Sequence, residues 1–299
     1  MTDEDLIEFV ERLAPQVDRL VIAGHRAAAP HARDLRESYH IQSVGLLIDL
    51  RKLILGHDGL QPQAALTFER YLDPVNVAAT LDAHVEEGML VRVGSRYRPT
   101  DRGREVLLAL TDAQARGTDE LWRAARDLAE ADRLAGDAVF EGSRNLDSDR
   151  YPAFSLDRAG YEPPEMSHSF SLWTHLTSLR YARADAHALA WQEADLDALG
   201  VRLLTDICHK KGPTSVTTFA DALACSDPSA LEARLQDMQH RGWMTREPDG
   251  WEVTERGRAA RVTIERATNV RNTTPYRGLE IEQRSRLLET LTGLRDSAP

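Results

Sequence analysis

Two sets of side chains in this sequence have the types and spacing to do chemistry. The first is arginine. Arg92, Arg96 and Arg98 fall on or beside one short extended pair, and Arg234, Arg241 and Arg246 fall in a later region of similar pattern. A guanidinium is a rigid fork of donors that matches phosphate oxygens. Cations on an exposed ribbon or helix can track a nucleic-acid backbone, or can pair with acids of their own surface. The second set lies in residues 170–192, FSLWTHLTSLRYARADAHALAWQ. Trp173, Arg180, Arg183, His187 and Trp191 recur at spacings of seven, three, four and four, which puts them on roughly one side of a helix. Arginine and histidine between tryptophan walls could hold an anionic small molecule. The same spacing suits a central packing helix whose tryptophans fill the core and whose arginines meet acids. Asp185 and His187 are two apart and point to different sides, so they cannot jointly relay a proton.

No residue is predicted to be catalytic, and no metal or cofactor is expected. There is no Gly-rich phosphate loop, no Gly-x-Ser-x-Gly elbow and no His-Glu-x-x-His. The ten histidines are scattered, and His25, His31 and His40 lack metal-ligand spacing. Cys208 and Cys225 make neither a disulfide framework nor a metal site, and read as buried reduced thiols. No apolar run approaches a membrane span. The start MTDEDL lacks a basic segment and an apolar core, so a cytoplasmic protein with no membrane partner is expected. The net charge of −11 weighs against nucleic acid unless a local surface is basic.

The elements that must position these residues occur twice. Residues 73–104 read DPVNVAATLDAHVEEGMLVRVGSRYRPTDRGR, and residues 227–258 read DPSALEARLQDMQHRGWMTREPDGWEVTERGR. Without a gap the segments share Asp-Pro, Ala79/Ala233, Leu81/Leu235, Gly88/Gly242, Arg92/Arg246 and the closing Thr-acidic-Arg-Gly-Arg. In each, Asp caps a helix with Pro at its first turn. Val77, Leu81 and Val85, or Leu231, Leu235 and Met238, form its apolar stripe. Gly88 or Gly242 ends it. Two extended runs follow, 90–93 with 97–99 and 244–246 with 251–253, and then Thr100 or Thr254 caps another helix.

Helix, glycine, two-stranded ribbon and helix resembles the winged helix-turn-helix regulators of the MarR type, whose ribbon runs into a Leu-Thr-x-x-Gly-Arg helix start. Here Pro99 or Val253 stands before the threonine. The resemblance covers roughly residues 42–110 and 198–266. It implies a mainly α fold with small β-ribbons, two winged-helix units plus helical segments, and a pseudo-two-fold arrangement. It also implies DNA as the partner. Arg92, Arg96, Arg98, Arg234, Arg241 and Arg246 are then the candidate DNA contacts.

The rest of the chain divides around those units. Residues 1–41 form an N-terminal helical segment, predicted as a helix over 2–22 followed by two short pieces interrupted at Pro30. Residues 111–197 form a helical layer with a helix over 111–138 and a long loop over 140–169. In that loop Tyr151, Phe154, Tyr161 and Met166 are predicted to pack against the body. Residues 267–299 end in an amphipathic helix whose stripe needs a partner. The first recognition-helix candidate carries Asp82, Glu86 and Glu87 and no Lys or Arg; its ribbon is basic. The second carries Arg234 and Arg241; its ribbon is acidic. Two readings follow. In one, the chain is a DNA-binding transcriptional regulator, ligand-responsive through its helical layer, acting as a monomer with pseudo-dimeric repeats or as a homodimer. In the other, the units are a scaffold for a pocket near the 170–192 helix that binds or transforms a small molecule.

Overall fold

The computed structural model describes residues 2–41, 45–57, 59–68, 74–210, 212–223 and 227–297. It is mainly helical with two antiparallel ribbons. In order come α1 (Asp3–Ser38), α2 (Gly45–Gly56), α3 (Pro62–Phe68), α4 (Pro74–Glu86), β1 (Leu90–Val93), β2 (Arg96–Pro99) and α5 (Asp101–Leu121). Then follow α6 (Leu128–Asn145), α7 (Pro152–Arg158), α8 (His168–Glu193), α9 (Ala198–His209), α10 (Val216–Leu223) and α11 (Pro228–His240). The chain ends with β3 (Met244–Glu247), β4 (Gly250–Val253), α12 (Glu255–Arg271), a 3-10 turn at Thr274–Tyr276 and α13 (Ile281–Ser297).

The two related segments fold by the same local devices. Gly88 and Gly242 take φ of 72° and 71°, the left-handed conformation that stops a helix at little cost to glycine. Thr100 Oγ1 donates to the Gly88 carbonyl and Thr254 Oγ1 to the Gly242 carbonyl, both at 2.7 Å. Each threonine then accepts from the glycine three residues on, Gly103 or Gly257, and so caps α5 or α12. β1 pairs with β2 and β3 with β4 in the same register, with Arg92 opposite Tyr97 and Arg246 opposite Trp251. A third short extended piece joins each ribbon, through Leu60 to Tyr97 and Thr214 to Trp251. Leu81 and Leu235 are fully buried at matching positions of α4 and α11, each contributing about 2 kcal/mol. The cap expected from Asp227 forms, whereas Asp73 and Cys225 lie outside the described residues.

Among the described residues, three apolar clusters hold the molecule together. One runs from Ala32 to Leu110 and fills the space between α2, α4, α5 and the first ribbon. Another runs from Ala188 to Ile264 around α9–α12 and the second ribbon. Between them, α1, α6, α7, α8 and α13 enclose a core that includes Trp122, Phe154, Phe170, Trp173 and Tyr276. The α8 helix crosses this layer and packs against α1, α5, α6, α7 and α12. The apolar stripe of α13 finds its partner within the chain, on α1 and α6.

Three expectations are corrected. The α1 helix runs unbroken through Pro15 and Pro30 to Ser38. A lost hydrogen bond at Pro30 does not end it because α5 lies so close: a Cβ on Gly117 would meet the Ala28 nitrogen at 2.5 Å, and Gln114 donates to the Gly24 carbonyl. The predicted 111–138 helix is two helices. Trp122 turns into the core and Asp127, at φ 59°, starts α6 in a new direction. The 140–169 stretch is not one loop: α6 reaches Asn145 and α7 lies inside it. Its aromatics do pack as expected, with Tyr151 and Phe154 buried and Met166 and Tyr161 against the two neighbouring cores.

Candidate nucleic-acid interface and ligand cleft

The six arginines divide by what holds them. Arg92 and Arg246 occupy the same place in their ribbons, over Tyr97 at 5.7 Å and Trp251 at 4.9 Å. The shared arginine is therefore a cross-strand cation–π partner as well as a surface cation. Arg92 is exposed and 4.0 Å from Asp82, whereas Arg246 is 3.0 Å from Glu232. Arg96 is exposed and leans toward the Gly59 carbonyl at 3.4 Å. Arg98 folds its stem over Gly59. On α11 the cations turn to the junction between α8 and α9. Arg234 meets Asp197 at 2.5 Å, and Arg241 meets Asp195 at 2.9 Å, Asp237 at 3.0 Å and the Ala194 carbonyl. Asp195 and Asp197 lie in the stretch EADLD at 193–197, and nothing local in the sequence says that α11 faces them. Farther on, Arg261, Arg266 and Arg271 pair with Glu265, Glu4 and Glu193.

The predicted ligand set separates in two. Arg180, Arg183 and His187 line one cleft of about 290 Å³, together with Asp18, Asp49, Phe68, Tyr181 and Glu265. The tryptophans do not wall it. Trp173 is buried, donates to the Val21 carbonyl at 3.2 Å and lines a smaller cavity behind the cleft. Trp191 is buried in the core around α9–α12. Helical spacing placed all five on one side, but α8 is surrounded by other helices and buries residues around its whole circumference. In the cleft Arg183 meets Glu265 at 2.8 Å and Asn269 at 2.9 Å, and Arg180 meets Asp18 at 3.1 Å. Burial raises the Glu265 pKa, but Arg261, Arg183 and His187 more than offset this and hold the carboxyl below its usual range. As expected, Asp185 and His187 diverge. Asp185 is fully buried and accepts from the backbone of Ala153 and Phe154, which caps α7, while His187 faces Thr268 of α12.

Spacing did not reveal His25, which lines this cleft, the small cavity and a third space of about 380 Å³ against α5. Its ring meets Trp173 edge-on at 5.1 Å. Burial, then Arg51 and Arg180, push its pKa down to about 4 from 6.5. The unfolded chain takes up this proton near pH 6.5 and the folded chain only near pH 4. The contribution of His25 to stability is thus full above that window and lost as pH falls through it. Between pH 6.5 and 4, wild type is expected to lose on the order of 2 kcal/mol more than His25→Gln, allowing for solvent screening. Urea unfolding across that range checks this; parallel curves for the two proteins would contradict it.

Among the described residues no group of three His, Cys, Asp or Glu side chains is placed to hold a metal ion. No helix among them is long and apolar enough to cross a membrane. Cys208 is half-buried and its thiol pKa is raised by burial.

Comparison with known families places the chain. Residues 62–298 match the helix-turn-helix family, and the protein belongs to that family. No curated protein and no solved structure matches it.

Proposed function

We propose that the protein is a DNA-binding transcriptional regulator carrying two winged helices of the MarR plan, over residues 42–110 and 198–266, in one chain. The observation that carries this reading is a helix-turn-helix family member whose first ribbon presents Arg92 and Arg96 to solvent. The acidic α4, with Asp82 and Glu86, would be repelled by phosphate, so the ribbon makes the main contact in the first unit. In the second unit Arg234, Arg241 and Arg246 each exchange a carboxylate for a phosphate or a base edge on binding. Residues 111–197 and the terminal segments 1–41 and 267–299 join the units.

The test is a set of duplex titrations at several salt concentrations. Arg96→Ala with Arg98→Ala is expected to weaken binding to every sequence and to flatten the slope of log K against log salt by about 2, one for each lost phosphate contact. Arg234→Ala is expected to change preference among sequences more than slope. An unchanged slope in the double variant would remove the ribbon from the interface. A second reading, in which the units are a scaffold for a small-molecule site, draws support from the net charge of −11 and the ion-paired α11.

A further inference from the structure

The two related segments turn the same positions of α4 and α11 outward, and what stands there differs. Val77, Leu81 and His84 of α4 and Leu231, Leu235 and Met238 of α11 are buried at matching places, so the two helices sit in the same rotation. Residues 75, 76, 79, 82 and 86 are then exposed on α4, and residues 229, 230, 233, 236 and 240 on α11. On α4 this outer face reads Val75, Asn76, Ala79, Asp82 and Glu86, and the helix holds no Lys or Arg to balance its acids. On α11 it reads Ser229, Ala230, Ala233, Gln236 and His240, with no carboxylate.

The acids of α11 are held at its flanks. Glu232 pairs with Arg246 at 3.0 Å, and Asp237 with Arg241 at 3.0 Å. Arg234 and Arg241 also tie the helix to Asp197 and Asp195 at the α8–α9 junction. These pairs fix the helix and leave its outer face uncharged. A major groove admits a helix, and side chains there read base edges by hydrogen bonds and by contact with methyl groups. A glutamine can donate to and accept from one adenine edge at once, and an alanine can pack on a thymine methyl. Between the phosphates that line the groove an uncharged face meets no repulsion. Asp82 and Glu86, at the places of Gln236 and His240, would bring two anions there. Asp82 is also engaged within its own unit, accepting from Tyr97 Oη at 2.7 Å.

Within the DNA-binding reading, on which this rests, we propose that the second unit alone reads sequence. Gln236 and Ala233 of α11 meet the base edges, while the first unit grips the backbone by its ribbon. Two equivalent reading helices related by a two-fold axis would select an inverted repeat. With one reading helix per chain, the DNA site holds one half-site for each bound chain.

Selection of the full chain on a random duplex library, followed by titration and native mass spectrometry of the selected complex, tests this. Wild type is expected to enrich one half-site per bound chain. Gln236→Ala is expected to lose about tenfold in affinity for that site, and with it the preference at one base pair. Its affinity for unrelated duplex is expected to stay within about twofold of wild type, because the phosphate contacts remain, and its Tm at or above that of wild type. Asp82→Asn with Glu86→Gln, which keeps an acceptor for Tyr97, is expected to bind every duplex more tightly and to select the same site. A single chain holding an inverted repeat, a Gln236→Ala protein with unchanged preference, or an Asp82→Asn, Glu86→Gln protein with a new one would overturn the proposal. So would wild-type binding that is steeply salt-dependent but enriches no sequence, an outcome that leaves the DNA-binding reading intact. Wild type that binds no duplex at low salt would remove that reading and the proposal together.

Discussion

Gly103→Ala is expected to destabilise the protein by about 3 kcal/mol or more, as overpacking against an unyielding neighbour does. The reason is space rather than backbone conformation. A Cβ on Gly103 would stand 1.8 Å from the Met89 carbonyl oxygen, and one on Gly257 would stand 2.2 Å from that of Trp243. Both neighbours are backbone and cannot rotate away. Each lies where the ribbon re-enters a helix under the threonine cap, so Gly257→Ala should cost a similar amount. By contrast, Gly88 has open space where a Cβ would go but a φ of 72°, so Gly88→Ala should cost only about 1 kcal/mol. Urea unfolding of the three variants measures this order. A Gly103→Ala protein as stable as wild type would show that the segments do not share this junction.

Lys52→Met is expected to cost about 3–5 kcal/mol, the range for breaking a buried pair by removing one partner. Lys52 Nζ lies 2.9 Å from Asp157, whose side chain is 1 % exposed, and 3.3 Å from Glu162. Asp157 also accepts from Ser178 Oγ at 2.5 Å, so the cluster ties α2 and α7 to α8. Without the lysine, Asp157 is a buried anion facing one hydroxyl. Asp157→Asn in the same chain removes that anion and is expected to recover a large part of the loss, a coupling that a double-mutant cycle measures. Additive losses would mean that the pair contributes nothing as a pair.

These two sites differ in how far the sequence disclosed them. The Gly–ribbon–Thr–Gly junction is legible because every device in it is local: a left-handed glycine, a threonine cap and a glycine pressed on the preceding backbone lie within a few residues of each other. The same locality makes the matching residues of the two segments a record of fold. Arg92 and Arg246 recur because each stacks on the aromatic opposite, which says little about partners. The helical layer was less legible. Pro30 reads as a breaker, yet the close approach of α5 to α1 carries the helix past it. The α7 helix spans only seven residues, too few to show a period, and its cap, Asp185, comes from α8. Arg51 is one of three charged residues, with Asp49 and Lys52, in a largely apolar helix, and only the placement of Trp173 over it shows that it is buried. Spacing found Arg180, Arg183 and His187 as one wall of a cleft but drew Trp173 and Trp191 into it, since a helix enclosed on every side offers no single face to read.

The central claim is that this acidic helix-turn-helix protein docks on DNA through a locally basic ribbon. The most direct measurement is a titration of the wild-type chain against genomic duplex fragments from low to moderate salt. The account predicts measurable affinity at low salt that falls steeply and linearly in log K against log salt, as neutralised phosphates release their counterions. Affinity no greater than that of an arbitrary acidic protein, even at the lowest salt, would contradict it.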